Sequence, residues 1–496
     1  MNFPTARFRR LLDVNPVTLK ELRQLVRSRI ILWSMFLFPV ALLVVNALVV
    51  AASLPQATPD KDAATLAYET LMATAGPGVL AATTVLLVVV TSVVIPLMTG
   101  VRLTLETGRA RMDLQFVTAL TAQDVVNGKL MAAFLVSLTF TALALPFLTL
   151  AYLMRGIELA TVGWTALAVV ASSAFMSAAS TAVGALRMPI GLRMTFLFGG
   201  YAAFGLWGLM ALAVLLAELA FGHSSVTTSV STVTLVALAV LACGYLLARA
   251  WAAANLMPAH TDNMRALRRT EAALLVVSWA ATLAVAAWTG DDDCTLPISL
   301  VTNAVLIVVG VLALFRPSEV PRVAAAHAPK SFLGRVFVYP FTSTAAAGAL
   351  FAALAQLVTL AVLAGAFCFL DDVYMDNPRM LLGLLAPYGE ITLVALAVSL
   401  VFRACRAGRR VFAFGPLIVF AAMNALQLFG ILESAHVIDS AGGMFGYLAG
   451  IFDGHGDVSS IHLFYTVVAL TGLLAYLAVD VPRTFRRFRR PEAAAK

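Results

Sequence analysis

The chain has 496 residues, of which 61% are hydrophobic and only 12% are charged. Ordinary soluble domains carry about 25% charged residues, so this composition excludes a soluble globular enzyme. A chain this apolar needs a lipid environment to cover its surface.

Twelve apolar runs follow one another along the chain. Each approaches or exceeds the roughly 20 residues that a helix needs to cross ~30 Å of hydrocarbon. The predicted spans are 30–52, 78–98, 130–153, 161–186, 194–220, 231–253, 272–290, 298–315, 345–370, 382–402, 411–432 and 461–481. Of the 34 Lys and Arg residues, all but Lys61, Arg155 and Arg379 lie in or beside every second gap between these runs.

Because bilayers retain Lys and Arg on the cytoplasmic side, this alternation predicts an all-α polytopic membrane protein with both termini in the cytoplasm. The net charge of +8 then describes a basic inner face, which attracts anionic membrane lipids rather than nucleic acid. The pattern divides the chain into five parts. These are a cytoplasmic arm (1–29), a six-span region (30–253), a cytoplasmic linker (254–271), a second six-span region (272–481) and a basic tail (482–496).

The arm ends in a predicted amphipathic helix over residues 15–29. Asn15 can cap the free amides at its start, and Pro16 suits the first helical position. Leucine, valine and isoleucine recur every three or four residues, which predicts a helix lying in the inner membrane interface. The stripe consists of Leu19, Leu22, Val26 and Ile30, with Lys20, Arg23 and Arg27 on another face. The alternative is a basic flank that only orients the first span.

The gap 99–129 is longer than a hairpin connection requires, and its length indicates a function. Met112, Phe116 and Leu120 form a second apolar stripe, and Thr121 is a candidate cap with Asp124 three residues on. Two short helices in sequence, broken near 119–122, fit this pattern better than a loose loop.

The two cytoplasmic segments together resemble the permease subunits of ABC transporters of the ABC-2 type. The resemblance covers roughly residues 13–155. In the first segment it rests on Asn15, Pro16, Lys20, Glu21 and Arg29, with Arg23 beside them. In the second it rests on Glu106, Gly108, Leu114, Thr118, Leu120, Gly128 and Lys129. Arg109 and Asp113 lie in the same segment and are further candidates for ATPase coupling. The family often has a proline where this chain has Ala119 or Ala122.

The resemblance implies that 15–29 is an interface helix and that Glu106 to Leu120 contains a coupling helix, which docks on a nucleotide-binding ATPase subunit. It also implies an exporter in a bacterial inner membrane, with ATP and magnesium bound by the partner subunit. The sequence contains no G-x-x-x-x-G-K-[ST] phosphate loop, so the chain would bind neither itself. It presents no catalytic motif and no metal-ligand spacing.

Two other classes of protein remain open. The stronger is an ion-coupled secondary transporter of the twelve-span major facilitator type, which needs titratable groups at membrane depth. Glu390 is the candidate for a transport-path acid, because it follows the Pro387-Tyr388-Gly389 break inside a predicted span. Its placement at the outer interface is the preferred interpretation. The second is a non-transporting membrane scaffold.

The second six-span region repeats the layout of the first, as two fused halves would. Its inner gap, 316–344, contains four prolines and no Glu-x-Gly signature, so a like coupling helix is not expected there. We therefore expect a homodimer, with a pseudo-dimeric single chain as the alternative. Cys294 and Cys368 both fall near the outer surface, where a disulfide is allowed but not indicated.

Overall fold

The computed structural model describes residues 15–53, 61–108, 121–154, 157–186, 188–201, 226–257, 264–289, 331–367, 395, 397–401 and 460–489. Nearly all of these residues are helical. The chain divides into two compact units, Met1–Met257 and Pro258–Lys496, and each is described by itself.

The first unit begins with a short helix followed by long ones. Its helices are α1 (Pro16–Val26), α2 (Arg29–Ser53), α3 (Lys61–Val88), α4 (Ile95–Gly108), α5 (Ala122–Leu153), α6 (Leu159–Gly184), α7 (190–201) and α8 (Val226–Leu256). The helices of the second unit are α9 (Arg265–Thr289), α10 (Phe332–Val338), α11 (Ala345–Phe367) and α12 (Ser460–Arg489).

Within the described part of the chain, five helical stretches are long and apolar enough to cross a membrane. They are Ile31–Ser53, Ala75–Thr107, Ala122–Leu153, Leu159–Gly184 and Leu238–Leu256. A bent pair of helices, Phe332–Phe341 and Ala345–Thr359, would make a sixth. These stretches coincide with the first four, the sixth and the ninth predicted spans, which supports a helical, membrane-embedded protein.

The remaining predicted spans lie in other described helices or outside the described residues. The spans 272–290 and 461–481 fall within the long helices α9 and α12, and 194–220 begins in α7. The spans 298–315 and 411–432, most of 382–402, and the two cysteines Cys294 and Cys368 lie outside the described residues.

The second span differs from its prediction at its C-terminal end. The sequence predicts that it ends at residue 98, whereas α4 continues to Gly108. Leu103 and Thr104 are completely buried, and Leu103 packs with Ala178 and Ala185 of the α6 region. This packing against α6 stabilises additional helical turns that hydrophobicity alone does not predict. The gap between helices therefore begins after Gly108 rather than at residue 99.

A π-helical segment, Val89–Val94, joins α3 to α4. The Ser173 hydroxyl of α6 donates to the backbone oxygen of Thr91 at 2.9 Å. A side chain of a neighbouring helix therefore satisfies a carbonyl oxygen in the irregular turn. Ser92 and Ser172 share a second hydroxyl contact of 2.9 Å. Such irregular turns are tolerated at membrane depth because neighbouring helices satisfy the backbone.

The helix α4, which follows the π segment, crosses α6 at close range. A Cβ atom added to Gly184 would lie 2.8 Å from the backbone oxygen of Gly100. The Ser180 hydroxyl donates to the backbone oxygen of Pro96 at the same crossing. Small residues at such crossings allow helix backbones to approach closely in membranes.

The second unit places the short helix α10 before the long helix α11, with a bend of 90° between them. Phe332, Leu333 and Phe337 of α10 are 58%, 68% and 75% exposed. Beyond α10, Tyr339 is buried, its hydroxyl contacts that of Thr484 in α12, and its ring meets Phe485 edge to face at 5.3 Å.

Candidate functional site

The candidate site lies where α1 meets the end of α4 and the beginning of α5. The Asn15 side chain accepts a hydrogen bond from the Val17 amide at 3.0 Å, as predicted for a helix cap, and Pro16 follows as the first helical residue. The other end of the Asn15 amide donates to the backbone oxygen of Asp124 at 2.6 Å. One side chain therefore starts α1 and holds it to the first turn of α5.

A buried cluster of three charged side chains joins the same helices. The Lys129 Nζ of α5 lies 2.5 Å from Glu21 Oε1 of α1 and 2.8 Å from Glu106 Oε2 of α4. The side chains of Lys129, Glu21 and Glu106 are 2%, 7% and 19% exposed. We call these three residues the ion cluster.

The ion cluster ties together elements that are distant in sequence. Glu21 is 108 residues from Lys129, so no local preference brings the two together. Removing two charges from water is costly unless they pair closely, and breaking a buried pair leaves an uncompensated charge. The cluster therefore holds α1, α4 and α5 in one arrangement.

The backbone of α1 also approaches α5 closely beside the ion cluster. A Cβ atom added to Gly128 would lie 2.6 Å from the Cβ of Val17 and 3.1 Å from the backbone nitrogen of Thr18. Val17 and Thr18 are both buried. Only glycine permits this spacing, which in turn lets Lys129 reach Glu21.

The beginning of α5 is fixed by a capping box. The Thr121 hydroxyl accepts from the Asp124 amide at 3.2 Å, and the Asp124 carboxylate accepts from the Thr121 amide at 3.0 Å. This confirms the predicted Thr121 cap, although the helix that it caps is the long α5 and not a short one. The other predicted short helix lies outside the described residues. Together with the end of α4 at Gly108, the capping box places residues 109–120 between two anchored helix ends.

Two arginines connect neighbouring helices to this region. Arg193 of α7 donates to the Thr107 hydroxyl and, at 3.1 Å, to the backbone oxygen of Gly184. Arg249 of α8 donates to the Asn127 side-chain oxygen at 2.6 Å. The end of α4 and the start of α5 are therefore bonded to α1, α7 and α8, and Arg193 also joins α7 to α6.

A cavity of about 180 Å³ opens beside the ion cluster. Most of its walls are apolar, and its polar residues include Glu21, Lys129 and Arg102. The apolar lining comes from α1, α2, α5 and the π segment with α4, and includes Leu25, Ile31, Val94, Met98 and Phe140.

The predicted site residues differ in their exposure, and several lie outside the described residues. On the first segment, Lys20, Arg23 and Arg29 are exposed, whereas Glu21 is buried. Leu19 and Val26 of the predicted apolar stripe are 45% and 63% exposed, which suits a face that meets lipid. On the second segment, Glu106 is in the ion cluster and Gly108 ends α4. Outside the described residues lie Arg109, Asp113, Leu114, Thr118, Leu120 and Glu390.

The sequence pattern did not predict the burial of Glu21 or the central position of Lys129. One local feature is consistent with both. Glu21 stands at helical spacing between Val17 and Leu25, so it shares a face with apolar residues, and Lys129 directly precedes an apolar run. An acid and a base at the edges of apolar faces are candidates for a buried pair. Among the residues described, no group of three or more potential ligands could hold a metal ion.

No family model, no characterised protein and no solved structure matches the chain. The evidence on its function is therefore the sequence pattern and the geometry of the ion cluster.

Proposed function

We propose that this chain is the membrane permease subunit of an ATP-driven ABC transporter of the ABC-2 type, coupled to a separate ATPase subunit. The observation that carries the proposal is the ion cluster, in which Lys129 binds Glu21 and Glu106 at once. It joins the two sequence segments on which the family resemblance rests.

The geometry supports a path for force from a partner to the membrane helices. Residues 109–120 leave α4 at Gly108 and return at the capped start of α5. Both of these helix ends belong to long apolar helices, Ala75–Thr107 and Ala122–Leu153. A load applied to residues 109–120 would therefore act directly on two spans and, through Lys129, on α1.

The role proposed for α1 follows from its two faces. One face is buried against α5 through Val17, Thr18 and Glu21, and the other exposes Leu19 and Val26. A helix of this kind lies in the membrane interface and resists tilting because its apolar side is immersed. It would keep the membrane boundary fixed while the coupling segment moves.

ATP would be hydrolysed by the partner, because the sequence holds no phosphate loop. The only similar triplet, Asn127-Gly128-Lys129, lies in α5, where Gly128 packs on Val17 and Lys129 belongs to the ion cluster. Its residues are already engaged in helix contacts. ATP and magnesium are accordingly proposed ligands of the ATPase subunit.

We further propose that the transporter is a homodimer and an exporter of a bacterial inner membrane. The described residues provide one ion cluster, and the sequence holds one segment of the Glu106 type. In the described part of the second unit, Tyr339 instead contacts Thr484 and Phe485. Two ATPase subunits would then need two copies of this chain. The direction of transport follows from the family resemblance.

Affinity purification in mild detergent from host membranes tests the proposal. We expect an ATPase with a phosphate-loop sequence to co-purify with the wild-type chain. The double variant Arg109→Ala, Asp113→Ala changes the proposed docking segment but leaves the ion cluster intact, and it should lose the ATPase. The matched control is Lys20→Ala, Arg23→Ala, which changes exposed charges on α1 and should retain it.

The ion-coupled carrier is the alternative outcome. If no ATPase co-purifies with the wild-type chain or with either variant, the proposal fails. Transport by Glu390→Gln across an imposed proton gradient then becomes the decisive measurement, since a carrier depends on such an acid.

A further inference from the structure

The residues that line the cavity beside the ion cluster extend along one bent helix. On this helix they run from Val90 to Arg102. At 1.5 Å per residue this distance is roughly 18 Å, close to half of the ~30 Å hydrocarbon thickness. Arg102 lies at the same end as Glu21 and Lys129, which the charge pattern assigns to the cytoplasmic side.

The walls of the cavity suit a hydrocarbon chain. Four helices, α1, α2, α4 and α5, contribute apolar surface to the cavity. Their residues include Leu25, Ile31, Met98, Val136 and Phe140. One lining residue, Val94, is 44% exposed, so this part of the cavity wall reaches the surface of the helix bundle. A lipid tail could therefore enter laterally and replace contacts with other lipids by contacts with this pocket.

The polar end of the cavity holds one guanidinium beside the ion cluster. Within the cluster, Lys129 is already bound to both Glu21 and Glu106. Arg102 also lines the cavity, and within the described ranges no carboxylate lies within ion-pair distance of its guanidinium. A guanidinium binds phosphate well because its donors match the phosphate oxygens.

We propose that this cavity binds one acyl chain of an anionic phospholipid from the inner leaflet, with its phosphate on Arg102. The tail would fill the space between α1, α2, α4 and α5, next to the contact of Glu21 with Lys129. Bound lipid would then hold α1 against the spans. The inference does not depend on an ATPase partner, because it concerns only the first unit of this chain.

Native mass spectrometry of the full-length protein tests the charge requirement. Lipid-free protein in detergent is titrated with phosphatidylglycerol and, separately, with zwitterionic phosphatidylcholine. We expect a first phosphatidylglycerol to bind at least about tenfold more tightly, and Arg102→Gln to remove that difference, as loss of a charge-assisted hydrogen bond would. Arg102→Lys should restore part of the preference.

The matched control for charge is Arg27→Gln. It removes the same charge from an exposed position near the end of α1 that does not line the cavity. We expect its preference for phosphatidylglycerol to remain near that of wild type. Equal losses in Arg102→Gln and Arg27→Gln would overturn the proposal, because they would indicate attraction to the basic surface as a whole.

A second pair of variants tests the tail. Val94→Trp places a large ring at the exposed part of the cavity wall, whereas Val89→Trp makes the same change at a residue of the same segment that is 37% exposed and does not line the cavity. We expect only Val94→Trp to abolish tight binding of the first lipid. Both proteins should elute as the wild type does in size-exclusion chromatography.

A soluble anion is tested in the same titration. Inorganic phosphate, added in large excess over phosphatidylglycerol, should not displace the lipid, because most of the cavity is apolar. Displacement by phosphate, or unchanged lipid binding in Val94→Trp, would show that the tail does not occupy the cavity and would overturn the proposal.

Discussion

Both units place a short helix before a long apolar helix, but they hold the short helix by different contacts. In the first unit α1 is joined to α4 and α5 by the ion cluster. In the second, the turn after α10 is held through Tyr339, which contacts Thr484 and Phe485 of α12. Arg268 of α9 adds a hydrogen bond of 2.8 Å to the backbone oxygen of Pro340.

The difference concerns how strictly each arrangement is specified. A buried charge requires its partner at a defined distance. Displacement of α1, α4 or α5 would leave a buried ion unpaired, which is energetically costly. The aromatic and hydroxyl contacts of Tyr339 lose less when they shift. The second unit adds a charged donor, the buried Arg268, but it bonds to a backbone oxygen. In the first unit two acids share one cation, so a movement of α1, α4 or α5 would be transmitted to the others.

Removal of Lys129 should have the largest effect. Lys129→Met leaves Glu21 buried without its cation, which should lower the free energy of unfolding of the first unit by about 3–5 kcal/mol. The control, Lys20→Met, changes an exposed residue of α1 and should stay within about 0.5 kcal/mol. Thermal unfolding in detergent measures both; equal effects would mean that the ion cluster does not hold the helices.

The two acids of the ion cluster should differ. Glu21→Gln removes the closer and more buried partner and should cost about 1.5–3 kcal/mol, the range for hydrogen bonds to charged groups. Glu106→Gln, at a side chain that is 19% exposed, should cost less because water replaces part of the interaction. The double variant should not be the sum of the two, since both acids share Lys129. Additive losses in this cycle would contradict a shared cation.

The close contact at Gly128 can be tested with alanine. Gly128→Ala puts a methyl group against Val17 and should cost about 1–3 kcal/mol, because α1 must move away from α5. In the matched control, Gly163→Ala in α6, the added Cβ would meet no heavy atom within 4 Å. That change should instead be neutral or stabilising by up to about 1 kcal/mol. If Gly128→Ala behaved like its control, α1 would not be packed tightly on α5.

The smallest effect is expected in the second unit. Tyr339→Phe removes the hydroxyl contact with Thr484 but keeps the ring contact with Phe485. The loss should be about 0.5–1.5 kcal/mol, the net worth of a neutral hydrogen bond. A loss as large as that of Lys129→Met would show that both units depend equally on polar contacts.

The sequence predicted the local features of the candidate site well. Asn15 caps α1, Pro16 opens it, and Thr121 with Asp124 caps α5, because each of these signals depends on residues within one helical turn. The apolar runs likewise predicted the positions of the first four candidate membrane helices, because length and hydrophobicity identify such helices.

The long-range features could not be predicted in this way. The contact of Lys129 with Glu21 and Glu106 depends on three helices packing in one orientation, which a single sequence does not encode in any local pattern. The extension of α4 to Gly108 depends on burial of Leu103 and Thr104. Both are consequences of tertiary packing. The number of spans, their orientation, and the roles of residues 109–120 and Glu390 remain predictions.

The π segment Val89–Val94 sets the rotational phase of the second span. One residue inserted into an α-helix turns everything beyond it by about 100°, since 3.6 residues complete a turn. Above the segment, Val79 and Leu80 pack with Leu148 and Ala151 of α5. Below it, Gly100 faces Gly184 of α6. Deleting a single residue here would restore a regular helix and turn the side chains of α4, Arg102 and Glu106 included, away from their present neighbours.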